Sequence, residues 1–215
     1  MLLAFDTSSP TVTVAVHDGS DVVVELTSAE TMRHGEQLAP LVDRALRQVG
    51  LEPRDLTALA VGVGPGPFTG LRVGLVSART MAHVLQVPVY GICSLDVLAL
   101  EAYESGTVVG PFVVASDARR REVYLASYDE GGARLAGPDV LRPADVDPAL
   151  AALPVVGEGA ALYPEFLVDG RSPLRPSAGW LARCVAEERA ELRDPEPLYL
   201  RRPDAEIPRA PKPAS

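Results

Sequence analysis

Three groups of residues have types and spacings that could do chemistry. His34 and Glu36 stand two apart where an amphipathic stretch begins, and an imidazole beside a carboxylate can relay protons. The dipole of a helix also favours a carboxylate in its first turn, so Glu36 needs no catalytic reason. The run Gly64-Pro65-Gly66-Pro67-Phe68-Thr69-Gly70 joins a strand to a helix, the place where backbone N–H groups cradle phosphate. A phosphate loop also needs a lysine after its second glycine, which this run lacks. Asp117, Arg119 and Glu122 could form a charged site or a solvated face. His17 and His83 share no ligand spacing with His34, and Cys93 and Cys184 form no CxxC pair. These residues therefore predict no catalytic, cofactor-binding or metal-binding set.

The elements that would hold them repeat along the chain. Leu2 to Asp6 reads as an apolar strand, Thr7 to Pro10 as a turn, and Thr11 to Val16 as an alternating strand, with a second turn at Asp18-Gly19. The same order recurs from Phe112 to Asp117 and from Glu122 to Tyr128. Asp6 to Asp117, Val12 to Val123, Ala15 to Ala126 and Asp18 to Asp129 are all separated by the same number of positions, which predicts duplicated halves. Apolar residues three and four apart predict a helix from Glu36 to Val49, stopped by Gly50. A short strand at Leu59 to Val63, a helix from Leu71 to Leu85 with Thr69 as its cap, a strand from Val87 to Ile92 and a helix from Leu95 to Tyr103 follow. Gly179 to Glu188 reads as a further short helix. Strands alternating with helices after an antiparallel opening predict α/β architecture, with mixed sheets covered by helices. The boundaries expected are 1–106 for an N-terminal subdomain, 107–201 for a C-terminal one and 202–215 for an extended or disordered tail.

The composition, 47% apolar and 23% charged, is that of a folded soluble body. A net charge of −9 argues against a chain that grips nucleic acid by its own field, because such binding requires cations to neutralise phosphates. The first six residues include an acid and no long apolar run, and no stretch approaches the roughly 20 apolar residues that span a bilayer. A cytoplasmic protein with no membrane contact is expected.

The motifs together resemble a known family. Ala4-Phe5-Asp6-Thr7-Ser8, Arg33-His34-Gly35-Glu36, the run from Gly64 to Gly74, Asp117-Ala118-Arg119 with Glu122-Val123-Tyr124, and Tyr199-Leu200-Arg201 are similar to the TsaB (YeaZ) family, almost end to end. That resemblance implies the actin-like ATPase fold, also called ribonuclease H-like, with two duplicated subdomains. It implies a non-catalytic scaffold subunit without a cofactor, needed with a TsaD-like catalytic paralogue and a TsaE-like ATPase to place threonylcarbamoyl on the adenosine beside the anticodon. tRNA would be met only through that complex. In TsaD-like enzymes the stretch corresponding to Ser94 to Leu98, after the strand that ends at Ile92, carries two histidines one helical turn apart that can ligate a metal; those places here are Ser94 and Leu98. The Asp-x-Gly turn by which actin-like ATPases approach phosphate has Ser8 and Arg119 in its third position. Two other readings stay open: a stand-alone metallopeptidase-like or ATP-hydrolysing enzyme, and a homodimer of the isolated chain.

Gly70, Gly74, Ala78 and Ala82 fall four apart and form a stripe of small residues, a groove for close packing against the chain's own sheet or a partner helix. The partner surface is placed on this stripe and the helix beside it. It comprises Glu36, Leu38, Leu41, Val42 and Ala45 from the first helix, and Gly70, Arg72, Gly74, Ala78, Met81 and Ala82 from the second.

Overall fold

The structure, a computed structural model, describes residues 1–201. The tail expected over 202–215 lies outside the described residues. Two five-stranded sheets stand side by side. In the first, β1 (Leu2–Asp6), β2 (Thr13–His17), β3 (Val22–Thr27), β4 (Ala58–Gly64) and β5 (Val89–Cys93) are arranged in the order β3-β2-β1-β4-β5. Its β1–β2 and β2–β3 pairs are antiparallel, and its β1–β4 and β4–β5 pairs are parallel.

The second sheet repeats this plan. β6 (Phe112–Asp117), β7 (Val123–Tyr128), β8 (Arg134–Leu141), β9 (Val155–Val156) and β10 (Gly170–Arg171) follow the order β8-β7-β6-β9-β10, antiparallel and parallel pairs in the same places. Two mixed sheets of identical order, both carrying helices, constitute the actin-like fold. The constant spacing read from the sequence holds for the two aspartates but slips by one in the pairing. Asp6 lies opposite Thr13, whereas Asp117 lies opposite Val123, because the connection in the second half is one residue shorter.

Both faces of the first sheet are covered, which is why β1 and β2 are buried at every position instead of alternating. Leu3, Phe5, Val14 and Val16 pack under α1 (His34–Gln48) and α2 (Phe68–Leu85). Leu2, Ala4, Ala60 and Ile92 pack on the other face against α6 (Ala178–Ala186) and part of α3 (Ser94–Glu104). The second sheet has its own core around Val113, Ala115, Val123 and Leu125, joined by Ala160 of α5 (Gly159–Leu162), with α4 (Pro148–Ala151) alongside.

The chain passes from α3 to β6 near the expected boundary, but 107–201 is not one spatial unit. Helix α6 leaves the second sheet and lies on β1 and β2 of the first. The cap expected at Thr69 is also displaced. Helix α2 begins at Phe68 behind Pro67 with no side-chain cap, and Thr69 points to solvent inside the first turn. No helix among the described residues is long and apolar enough to cross a membrane.

Candidate functional site: a closed cleft and an open helix groove

The strand ends of the two sheets face each other across a cleft. Asp6, at the C-terminal end of β1, is 1% exposed and accepts hydrogen bonds from Ser8 N and Ser8 Oγ at 2.6 Å and from Ser94 Oγ at 2.7 Å. Burial pushes its carboxyl above the usual range, opposed by the hydrogen bonds from Ser8 and Ser94. Gly62 lets β4 pass this close, since a Cβ there would fall inside the Asp6 carboxylate. The second half repeats the turn: Asp117 Oδ1 accepts from Arg119 N at 2.8 Å, as Asp6 does from Ser8 N. Both residues in the third position thus hold a turn by bonding their own aspartate.

Ser94 and Leu98, one helical turn apart, both line the cleft, with Ser8, Pro65 and Pro67 on one side and Asp117, Glu158 and Arg175 on the other. Leu98 is fully buried. The space left is about 20 Å³, room for one water molecule, whereas small-molecule sites run to roughly 300–1,000 Å³. A serine hydroxyl satisfied by Asp6 and a leucine side chain supply no pair of metal donors at the two positions that the sequence sets against the histidines of TsaD-like enzymes. Cys93, before α3, is pushed up to about 12 by burial, and burial likewise raises Cys184, so both thiols stay protonated.

His34 and Glu36 do not form an acid–base pair. His34 is buried, and its Nε2 donates to Ser9 O at 2.7 Å, while Glu36 turns outward to Arg33. His34 therefore props the first turn against the start of α1. Asp117, Arg119 and Glu122 form a clamp rather than a catalytic cluster. Arg119 pairs with Asp117 at 3.1 Å, Glu122 pairs with Arg201, and Arg201 Nη1 donates to Ala118 O at 2.9 Å. Arg119, Arg120 and Arg121 within this turn all have positive φ.

The small stripe of α2 faces inward, so most of the expected partner surface is core. Gly70, Gly74, Ala78 and Ala82 are buried, as are Leu38, Leu41, Val42 and Ala45 of α1. The reason is the β1–β2 turn, which arrives against α2: Thr7 Oγ1 donates to Gly70 O at 2.8 Å, and a Cβ on Gly74 would collide with that hydroxyl. Glu36 and Arg72 remain exposed and Met81 is half-buried. Between the helices runs a groove of about 570 Å³. Val76, Ser77 and Thr80 of α2 face Ala39, Asp43 and Arg47 of α1 across it, with Leu38, Val42 and Met81 among its lining. Val76 is 61% exposed and Val84 71%. Sequence reasoning missed Ala39, Val76 and Thr80; the available signal was that α2 carries apolar residues on the side opposite its glycines.

The segment Tyr199-Leu200-Arg201 acts as a strap. Leu198 N donates to Val63 O at 2.9 Å, the Tyr199 ring stacks on Phe68 at 5.3 Å, and Arg72 lies 3.7 Å over Phe68. With Arg201 on the β6–β7 turn, the strap ties α2 to the second subdomain.

A solved structure entitled YeaZ from Pseudomonas aeruginosa matches this fold with a TM-score of 0.74 and 31% identity, covering 93% of this chain and 99% of that one. The chain belongs to the TsaB (YeaZ) family. A family model described as TsaD: tRNA N6-adenosine threonylcarbamoyltransferase matches residues 25–163. An uncharacterized protein of Mycobacterium tuberculosis is 46% identical over 210 residues, 95% of this chain and 93% of its own length. The tRNA threonylcarbamoyladenosine biosynthesis protein TsaB of Bacillus subtilis is 32% identical over 127 residues, 59% of this chain and 54% of the relative. Within the TsaB family frame, the quoted motifs gather at two places: the rim of the cleft and the contact of strap with α2.

Proposed function

We propose that the chain is a non-catalytic partner subunit in tRNA threonylcarbamoyladenosine synthesis. It pairs in the cytoplasm with a TsaD-like catalytic paralogue and works alongside a TsaE-like ATPase. The observation that carries this reading is the closed cleft. Its floor is the Asp6–Ser94 hydrogen bond, Leu98 fills its wall, and about 20 Å³ remains. The name carried by the Bacillus subtilis relative supports the pathway. A net charge of −9 supports a division of labour in which the assembled complex, not this subunit alone, holds tRNA.

The partner surface we propose is the exposed groove between α1 and α2, centred on Val76, with Ala39, Thr80 and Met81 around it and Asp43 and Arg47 at its margin. An apolar centre with a charged margin is the usual anatomy of a specific interface. A second copy of this chain is the competing occupant.

Val76→Asp tests the reading. Placed in the groove beside Asp43, the carboxylate should weaken association with the TsaD-like protein by tenfold or more, about 1.4 kcal/mol, and lower tRNA modification in the reconstituted system, with no loss of thermal stability. Full modification in the absence of this subunit, or ATP or peptide hydrolysis by the isolated chain, would overturn the proposal.

A further inference from the structure

A buried polar cluster at the back of the inter-subdomain contact belongs neither to the cleft nor to the helix groove. Asp96 projects from the first turn of α3, and its side chain is 11% exposed. Tyr128 OH, on β7 of the second sheet, donates to Asp96 Oδ1 at 2.8 Å, and Arg134 Nε, on β8, lies 3.4 Å from the same oxygen. Arg134 also reaches Glu191 at 2.9 Å. Glu191 precedes the segment whose Arg193 exchanges both backbone hydrogen bonds with Gly91 on the edge of the first sheet. Arg134 is therefore fastened to the first subdomain by two routes. Asp96, Tyr128, Arg134 and Glu191 line one side of an open recess of about 410 Å³, with Leu100, Gly131, Gly132 and Arg189 among its other walls.

The contact around the cluster is apolar. Leu95, Leu98 and Ala99 of α3 pack on Phe112, Val114 and Ala126 of the second sheet, and the Tyr128 ring stacks on Phe112 at 5.3 Å. Apolar burial is non-directional, whereas a carboxylate that moves away from its phenol and guanidinium loses bonds of fixed length and direction. The polar cluster is therefore the part of this contact that selects one angle between the sheets. The same first turn of α3 also carries Ser94, whose hydroxyl is bonded to Asp6 in the cleft. A shift of α3 away from β7 moves Asp96 and Ser94 together, because both lie in its first turn.

We infer that Asp96, Tyr128 and Arg134 form a latch that holds the two subdomains at the closed angle, and that releasing it opens the front cleft. The latch would act in the same way whichever partner the helix groove takes.

Tyr128→Phe tests it with little disturbance, because the stacked ring stays and only the hydroxyl goes. Asp96→Asn is the second variant, removing the charge that faces Arg134. Spin labels on cysteines introduced at the exposed positions Val84 and Val168, one in each subdomain, report the separation. The unaltered chain should give one narrow distance. In each variant the share of longer separations should rise roughly three- to tenfold, the weight of one buried hydrogen bond, with circular dichroism unchanged. Amide exchange at Ser8, at the far end of the coupling, should quicken in step, which a purely local packing role would not produce. A narrow, unaltered distance in both folded variants, or faster exchange near Tyr128 with none at Ser8, would overturn the latch.

Discussion

Gly74→Ala separates the two roles that a stripe of small residues can play. In the structure the added methyl would meet Thr7 Oγ1 well inside van der Waals contact, at a hydroxyl already donating to Gly70 O. Overpacking of this kind costs about 1–3 kcal/mol, and forcing the hydroxyl off its buried carbonyl adds about 1 kcal/mol. Alanine in place of glycine inside a helix returns about 1 kcal/mol. The net expectation is a loss of about 2 kcal/mol, which for a chain of this size lowers Tm by about 4–8 °C. The obstacle is the hydroxyl, since Thr7 Cβ itself would lie an ordinary 3.5 Å from the new methyl. In a Thr7→Ala background the same substitution should therefore stabilise by about 1 kcal/mol, leaving a coupling of about 3 kcal/mol between the two sites. Urea unfolding of the four proteins measures the cycle. Association with the proposed TsaD-like partner, measured below the unfolding transition, should be unchanged, because the stripe lies inside. A Gly74→Ala protein with unaltered Tm that no longer binds would refute this reasoning and return the stripe to the surface.

The remaining predictions concern charge and backbone. Burial, with the negative charge of Glu25 adding to it, raises the Glu101 carboxyl to about 7, and its Oε2 has no hydrogen-bond partner. The folded state thus holds a proton that the unfolded chain releases near 4.5, so stability should fall as pH rises from about 4.5 to about 7. The full displacement would be worth about 3.4 kcal/mol, but partial contact with water reduces the expected loss to about 1 kcal/mol. Glu101→Gln should flatten that stretch of the curve and raise stability at pH 8, as read by thermal unfolding across pH; a profile as steep as that of the unaltered chain would exclude Glu101 as its source. Arg121 has φ +61 inside the β6–β7 turn. A left-handed non-glycine residue costs about 1–2 kcal/mol, and glycine's extra freedom in the unfolded chain returns about 0.5–1 kcal/mol of that, so Arg121→Gly should stabilise by about 0.5–1 kcal/mol in urea unfolding. Destabilisation would mean that the turn needs the arginine side chain more than it needs relief.

The repeated opening was legible because an apolar strand ending in aspartate, a turn and a second strand are local patterns, and each copy carries all three. The orientation of the α2 stripe was not legible. Absent side chains serve a partner helix and the chain's own Thr7 turn equally well, and only the tertiary path of β1 into β2 decides between them. Helix α6 was readable as a short amphipathic helix but not as a cover for the first sheet, since an apolar face does not specify which sheet it meets. Asp96, Tyr128 and Arg134 left no signal, being scattered over three elements without a motif spacing. The two halves also diverge where the fold would do its chemistry. Serine and arginine stand in the third position of the paired aspartate turns, and Ser94 and Leu98 face the space between them. Ser94 and Leu98 do more than omit donor groups: one satisfies Asp6 from within and the other fills the wall, so the cleft closes without a ligand. A cleft filled from inside has no need of a nucleotide path, and the exposed valines of α2 are where we propose that another protein binds.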